Sequence, residues 1–290
     1  MGARHPFVPV LQGAAVEALA QEKERVARER LASLGSVLVA YSGGVDSSYL
    51  LWLSRAALGT RAVAFTALSA AVPADELLAA RELARTLGVE HVEQSSAEID
   101  DPRYVRNEGD RCYFCKTELY ELACAYARAR GIAAVVSGTN ADDLLDYRPG
   151  LAAASEHQVV HPLAEAALSK QEIRVLSRAA GLPTWDKPQQ PCLASRIPYG
   201  TEVTRERLEQ LARAEMALRS LGLREFRVRF HGEIARIEVA EGELSRLIAV
   251  RAEAARALRA AGFRFASVDL EPFRSGRLNE AAGLVPLRSS

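Results

Sequence analysis

Two groups of residues in this sequence combine types and spacings that chemistry needs. The first is the heptad from Ser42 to Ser48, SGGVDSS. Its adjacent glycines, Gly43 and Gly44, let a backbone turn tightly and approach a ligand with no Cβ in the way. Where a helix starts directly after such a turn, its first N–H groups and its dipole form a nest for an anion. Ser42, Ser47 and Ser48 add hydroxyl donors for phosphate oxygens. Asp46 can cap the helix or hold a Mg2+ ion that bridges phosphates. The pattern G-x-x-x-x-G-K-[ST] is absent, so this is not a Walker loop. Ser-Gly-Gly alone would pass for an ordinary capped turn; the whole heptad, set between an apolar run and a helix-compatible one, points to phosphate binding. A second polar stretch, SGTNADD over 137–143, adds Gly138, Thr139, Asn140 and Asp142 at what reads as another strand end. Such a position at a carboxyl edge is where doubly wound sheets bind ligands.

The cysteines are the other group. Cys112 and Cys115 are spaced C-x-x-C in RCYFCK, at the opening of an expected helix. A thiol there, flanked by Arg111 and Lys116, is expected to ionise readily and to act as a metal ligand or nucleophile. Cys192 lies in QPCLASRIPYG, a proline-braced loop rich in donors. Three cysteines on two loops suit a [4Fe–4S] cluster with one iron open to another ligand. A zinc ion wants a fourth ligand, and His5, His91, His157, His161 and His231 show no zinc-finger spacing; buried thiols without metal are the third reading. Cys124 falls on the apolar face of helix 114–130 and reads as a small core residue.

Around these groups the chain alternates strand and helix. Residues 1–35 read as a leading helix; 37–41, 61–67, 89–94 and 132–137 read as strands, with a helix introduced by Pro73 and ending near Gly88. The alternation predicts a doubly wound parallel sheet. Proline density rises over 183–198, which marks a junction between a domain of residues 1–185 and one of 186–290. The second is expected as a small α+β unit: helix 203–221, strands 226–231 and 234–240, helix 243–261 and a strand near 265–270.

With 290 residues, 49% of them hydrophobic, the chain can bury a core large enough for two domains. Its formal net charge is zero, which favours a small-molecule substrate over a long nucleic acid. No apolar run approaches the roughly 20 residues of a membrane span, and no signal-peptide pattern opens the sequence. With the C-x-x-C spacing, this predicts a cytoplasmic protein.

Taken together, SGGVDSS, RCYFCK, SGTNADD, QPCLASRIPYG and FRVRFHGEIARIEV resemble one family across most of the chain. It is the ATP-dependent sulfur transferase family that completes the nickel-pincer nucleotide, the cofactor of lactate racemase, within the PP-loop ATP pyrophosphatases. The resemblance implies that ATP adenylates a carboxylate of pyridinium-3,5-biscarboxylic acid mononucleotide with Mg2+ assistance, and that sulfur then displaces AMP. It implies ATP binding by the two polar loops together with Thr66 of the second strand. In single-cysteine members the thiol at the position of Cys192 is consumed. This chain is similar to the three-cysteine branch, in which Cys112, Cys115 and Cys192 would ligate a [4Fe–4S] cluster carrying a replaceable sulfide. Beside Cys192, Ser195 and Arg196 are placed to donate to a developing oxyanion or a substrate phosphate. Arg227 and Arg229 alternate along a strand, share a face and can clamp a phosphate. The family places Glu215 and Glu238 in the same region, as metal or phosphate-site partners or as a salt-bridged face. A homo-oligomer and a sulfide or sulfur-delivery partner are further expectations. The rivals are a tRNA thiolase of the same superfamily, an ammonia-using ligase, and a non-catalytic nucleotide or iron–sulfur sensor.

Overall fold

The computed structural model describes residues 13–145 and 149–274, together with 280 and 283. The leading helix, α1 (Gly13–Leu34), is followed by β1 (Val37–Ala40), α2 (Val45–Leu58), β2 (Ala62–Leu68), α3 (Ala74–Thr86) and β3 (Glu90–Ser95). Next come a short α4 (Pro102–Val105), the long α5 (Arg111–Arg130) and β4 (Ala134–Ser137). The four strands form a parallel sheet in the order β3-β2-β1-β4. Val160 adds a single parallel bridge to Val136. Because parallel strands need crossovers, helices cover both faces. On one face Leu31 of α1 and Leu50, Leu51 and Leu53 of α2 pack against Val37 and Val39; on the other, Tyr120, Ala123 and Ala127 of α5 pack against Leu38, Val63 and Phe65. Each fully buried leucine or phenylalanine contributes about 1.5–3 kcal/mol.

Three helices, α6 (Gly150–Glu156), α7 (Pro162–Glu165) and α8 (Lys170–Ala179), lead towards the proline-rich segment. Ser169 and Glu172 form a capping box that fixes the start of α8. The C-terminal part holds α9 (Arg205–Ser220), β5 (Phe226–His231), β6 (Ile234–Val239), α10 (Leu244–Ala249), α11 (Arg251–Ala260) and β7 (Phe265–Val268). Its sheet runs β5-β6-β7, with β5 antiparallel and β7 parallel to β6. The single helix expected over 243–261 is two helices meeting at Val250. A core of α9, β5 and β6 residues also takes in Ala71, Ile99 and Tyr104 from the first half of the chain. The C-terminal core thus extends to the segments that follow β2 and β3.

Candidate nucleotide and thiol site

At the end of β1, Tyr41 still donates its N–H to Phe65 O at 2.8 Å. The chain then turns through Gly43 at φ +70° and enters α2 at Gly44. A Cβ on Gly43 would meet Ala80 Cβ of α3 at 2.8 Å, besides straining that left-handed turn. No side chain caps α2, so the N–H groups of its first turn remain open to an anion. Ser42 N and Oγ meet Ser47 Oγ at 3.2 and 3.1 Å, which fixes one lip of the nest. Ser48 is wholly buried, so its hydroxyl does not reach the open side of the loop.

Asp46 is divided between two tasks. Its Oδ2 accepts from the Lys170 ammonium at the start of α8, while its Oδ1 is buried without a partner. A bare carboxylate oxygen beside a phosphate nest suits a hard cation such as Mg2+.

The loop after β4 closes against this turn. A Cβ on Gly138 would lie 2.8 Å from Ser47 N, so only glycine allows that approach. Ser137 Oγ meets Thr139 Oγ1 at 3.0 Å and His161 Nδ1 at 2.8 Å. Asn140 Oδ1 accepts the N–H groups of Asp142 and Asp143 at 3.0 and 3.1 Å, and Asp142 Oδ2 accepts from Lys170 N at 2.8 Å. Asn140 and Asp142 therefore shape the loop and seat the lysine. Thr66 is buried; its hydroxyl donates to Tyr41 O at 2.7 Å and meets His91 Nε2 at 2.8 Å. Burial holds both His91 and His161 below the ordinary imidazole value.

The thiols lie further along the same carboxyl edge. Cys112 and Cys115 occupy the first turns of α5, and Cys192 immediately precedes a single 3-10 turn, Leu193–Arg196. Leu193 N donates to Ala71 O, in the loop after β2, at 2.8 Å. Arg111, itself buried, donates to Asn107 Oδ1 and to Ala194 O, tying the start of α5 to the Cys192 loop. Asn107, at φ +57°, spends its Nδ2 on the carbonyls of Ile197, Pro198 and Thr201 at 3.3, 2.8 and 2.8 Å. Upstream, Lys187 donates to Gly43 O at 3.0 Å and pairs with Glu76 at 2.6 Å. One continuous segment thus runs from the phosphate turn to Cys192.

The ready ionisation expected of Cys112 and Cys115 is not found. Burial pushes Cys115 up to about 12, with Cys192 adding to the rise and Lys116 opposing it. Burial also raises Cys112, against the pull of Arg111. Cys112 is open to water yet ringed by protein, as a side chain lining a cleft would be. Cys115 and Cys192 pack against one apolar cluster, and Arg111, next to Cys112, bonds Ala194 O, so the three thiols border one cleft. Among the described residues, no group of three or more His, Cys, Asp or Glu side chains gathers tightly enough to hold a single metal ion.

Arg196 is 1% exposed, and its donors are engaged. It holds Glu215 through two bonds of 2.8 and 3.0 Å, and Pro191 O and Ser195 Oγ at 2.6 and 3.0 Å. This is a clamp for the cysteine loop and not an open oxyanion donor. Glu215 further accepts from Val228 N at 3.1 Å. Arg229 pairs with Glu238 at 2.9 and 2.7 Å and donates to Ser195 O at 2.8 Å. Arg236 approaches the other oxygen of Glu238 at 3.0 Å. Glu215 and Glu238 are therefore buried counter-ions of the two arginines, neither free ligands nor a solvated face. Ser195 stays half-buried beside Cys192.

Arg227 differs from its neighbour. It donates to Gln189 O, lies 4.5 Å from the Phe273 ring centre, and is lowered to about 10 by burial and then by Arg196. With Lys170, Arg174, Gln189 and Arg274 it lines a cavity of about 350 Å3 bordered by α8, the proline-rich segment and β5. Of the two arginines expected to grip a phosphate, Arg227 is the one that faces this space. Asn107, Arg111, Lys170 and Lys187 were not among the residues singled out from the sequence for these positioning contacts. Only the Ser169-x-x-Glu172 capping signal could have placed Lys170 at a helix start; the others act over long separations.

Residues 19–254 match the family model described as asparagine synthase. An uncharacterized protein of Synechocystis sp. is 42% identical over 254 residues, covering 87% of this chain and 95% of that protein. The pyridinium-3,5-bisthiocarboxylic acid mononucleotide synthase of Lactiplantibacillus plantarum is 38% identical over 251 residues, covering 86% of this chain and 91% of that protein. An uncharacterized protein of Methanocaldococcus jannaschii is 28% identical over 241 residues, covering 82% and 91%. No helix among the described residues is long and apolar enough to cross a membrane. With an uncapped phosphate turn at the edge of a four-stranded parallel sheet and these matches, the chain belongs to the asparagine synthase family of PP-loop proteins, in the same group as the Lactiplantibacillus plantarum synthase.

Proposed function

We propose that this chain is an ATP-dependent sulfur transferase acting on pyridinium-3,5-biscarboxylic acid mononucleotide. The observation that carries the reading is the tethering of the Cys192 loop to the nucleotide edge, through Leu193 to Ala71 and through Lys187 to Gly43. An acyl-adenylate formed at the phosphate turn then lies on the same edge as the nucleophilic sulfur.

The open N–H groups of α2 bind the phosphates of ATP, and the bare Oδ1 of Asp46 takes Mg2+. Lys170, facing both Asp46 and the cavity of Arg227, counters charge where the substrate carboxylate meets the α-phosphate. Arg227 and Arg174 receive the mononucleotide phosphate; the near-neutral net charge favours this small acceptor over tRNA.

In this reading Cys112, Cys115 and Cys192 would hold a [4Fe–4S] cluster. Arg111 is buried with thiols and tyrosines as its electrostatic neighbours, a setting that favours thiolates once metal binds. A cluster takes each thiolate on a different iron, so its ligands need not converge as those of one zinc ion must. When bound, the cluster supplies a soft sulfide nucleophile. Cys192 would be one of its ligands, and Ser195, half-buried next to Cys192, would offer a hydroxyl to the carbonyl under attack.

The test is turnover of the mononucleotide with ATP under anaerobic conditions, comparing wild type with Cys192→Ser. Pyrophosphate release should persist in the variant, while the mass gain of a thiocarboxylate is lost. Thiocarboxylate formation without Cys192, or thiolation of added tRNA, would overturn the reading.

A further inference from the structure

Tyr104, in α4, is 1% exposed, yet its hydroxyl is buried with no hydrogen-bond partner. Buried phenols normally satisfy their O–H, and phenylalanine would fill the same space without that cost. The surroundings indicate where a partner belongs. Tyr104 sits in the apolar cluster of Ile99, Leu193 and Ile197, against which the half-buried Cys115 and Cys192 pack. After burial itself, Cys192 and then Cys115 act most strongly on the phenol. Arg111, the neighbouring donor, is already engaged with Asn107 and Ala194.

We propose that the Tyr104 hydroxyl donates a hydrogen bond to an anionic sulfur held in the three-thiol cleft, making Tyr104 a positioning residue for the sulfur that is transferred. The acceptor is a sulfide bound between the thiols. The inference rests on the reading of this cleft as the sulfur site. Donors to a sulfur ligand stabilise its more negative state and so set both its basicity and the redox poise of an attached cluster.

Tyr104→Phe removes the hydroxyl and little else. In the metal-free protein the variant should melt at or above the wild-type temperature; a clear fall would reveal an existing protein partner and overturn the proposal. In protein loaded anaerobically with iron and sulfide, the midpoint potential moves to a more negative value in the variant. That shift supports the donor, and its absence overturns it. The measurement needs no turnover: a shift in the variant together with a wild type that forms no thiocarboxylate faults the proposed reaction and leaves the donor assignment standing.

Discussion

At the phosphate turn the ligand-facing groups come from six consecutive residues, 42–47, whereas the thiol cleft draws on segments from Tyr104 to Glu238. The turn is made chiefly of backbone: two glycines, an uncapped helix start and a strand end. Its needs are steric, since a Cβ at Gly43 or Gly138 has nowhere to go. The cleft is made of side chains, held in place by buried ion pairs and by one asparagine that bonds three carbonyls. One site should therefore fail through added bulk and the other through lost partners.

The sharpest way to break this contrast is Gly138→Ala. Its new methyl would press on the backbone of Ser47, so pyrophosphate release should fall at least about 100-fold, the scale of losing a well-aligned reacting geometry. Alkylation of Cys192 should stay near the wild-type rate; a parallel change there would show that the two sites are not separable. Next in size is Arg196→Met, which leaves Glu215 as a buried carboxylate without its main partner. Loss of one member of such a pair costs about 3–5 kcal/mol, readable by urea denaturation, and should speed Cys192 alkylation. Asn107→Ala removes four hydrogen bonds, three given by Nδ2 and one accepted from Arg111, and puts a residue less tolerant of left-handed backbone at φ +57°. A loss of about 2–3 kcal/mol is expected; a loss below about 0.5 kcal/mol would remove Asn107 from the clamp.

The smallest effect concerns pH. His91 and His161 are both held below their usual 6.5 by burial. The unfolded chain then takes up protons near that value while the folded chain resists, so stability declines as pH falls through about 6.5 and levels off below the folded values. His161→Gln should flatten part of this slope in urea titrations at pH 5 to 8. An unchanged slope would assign it to other groups.

How much of this the sequence disclosed follows the same division. The four strands, the glycine turn and the Cys192 loop were legible because each is a local pattern of apolar runs, glycines or prolines. Pairings such as Arg196 with Glu215, 19 residues apart, or Lys170 with Asp46, 124 apart, have no local signature. The thiols were misread for a related reason. Helix position and neighbouring cations are visible in RCYFCK, but the apolar wall that raises Cys115 comes from residues far along the chain. The split of helix 243–261 at Val250 likewise breaks no pattern of residue types.

The shared cluster of Tyr104, Leu193 and β5 has a consequence for biosynthesis. Cys112 and Cys115 leave the ribosome well before the strand carrying Arg229, which is more than 100 residues later and so on the order of 10 s away at ordinary elongation rates. For that interval a nascent chain owns its complete glycine turn but lacks the arginine that holds Ser195 O. The Cys192 loop therefore reaches its final packing only after the last sheet has folded around it.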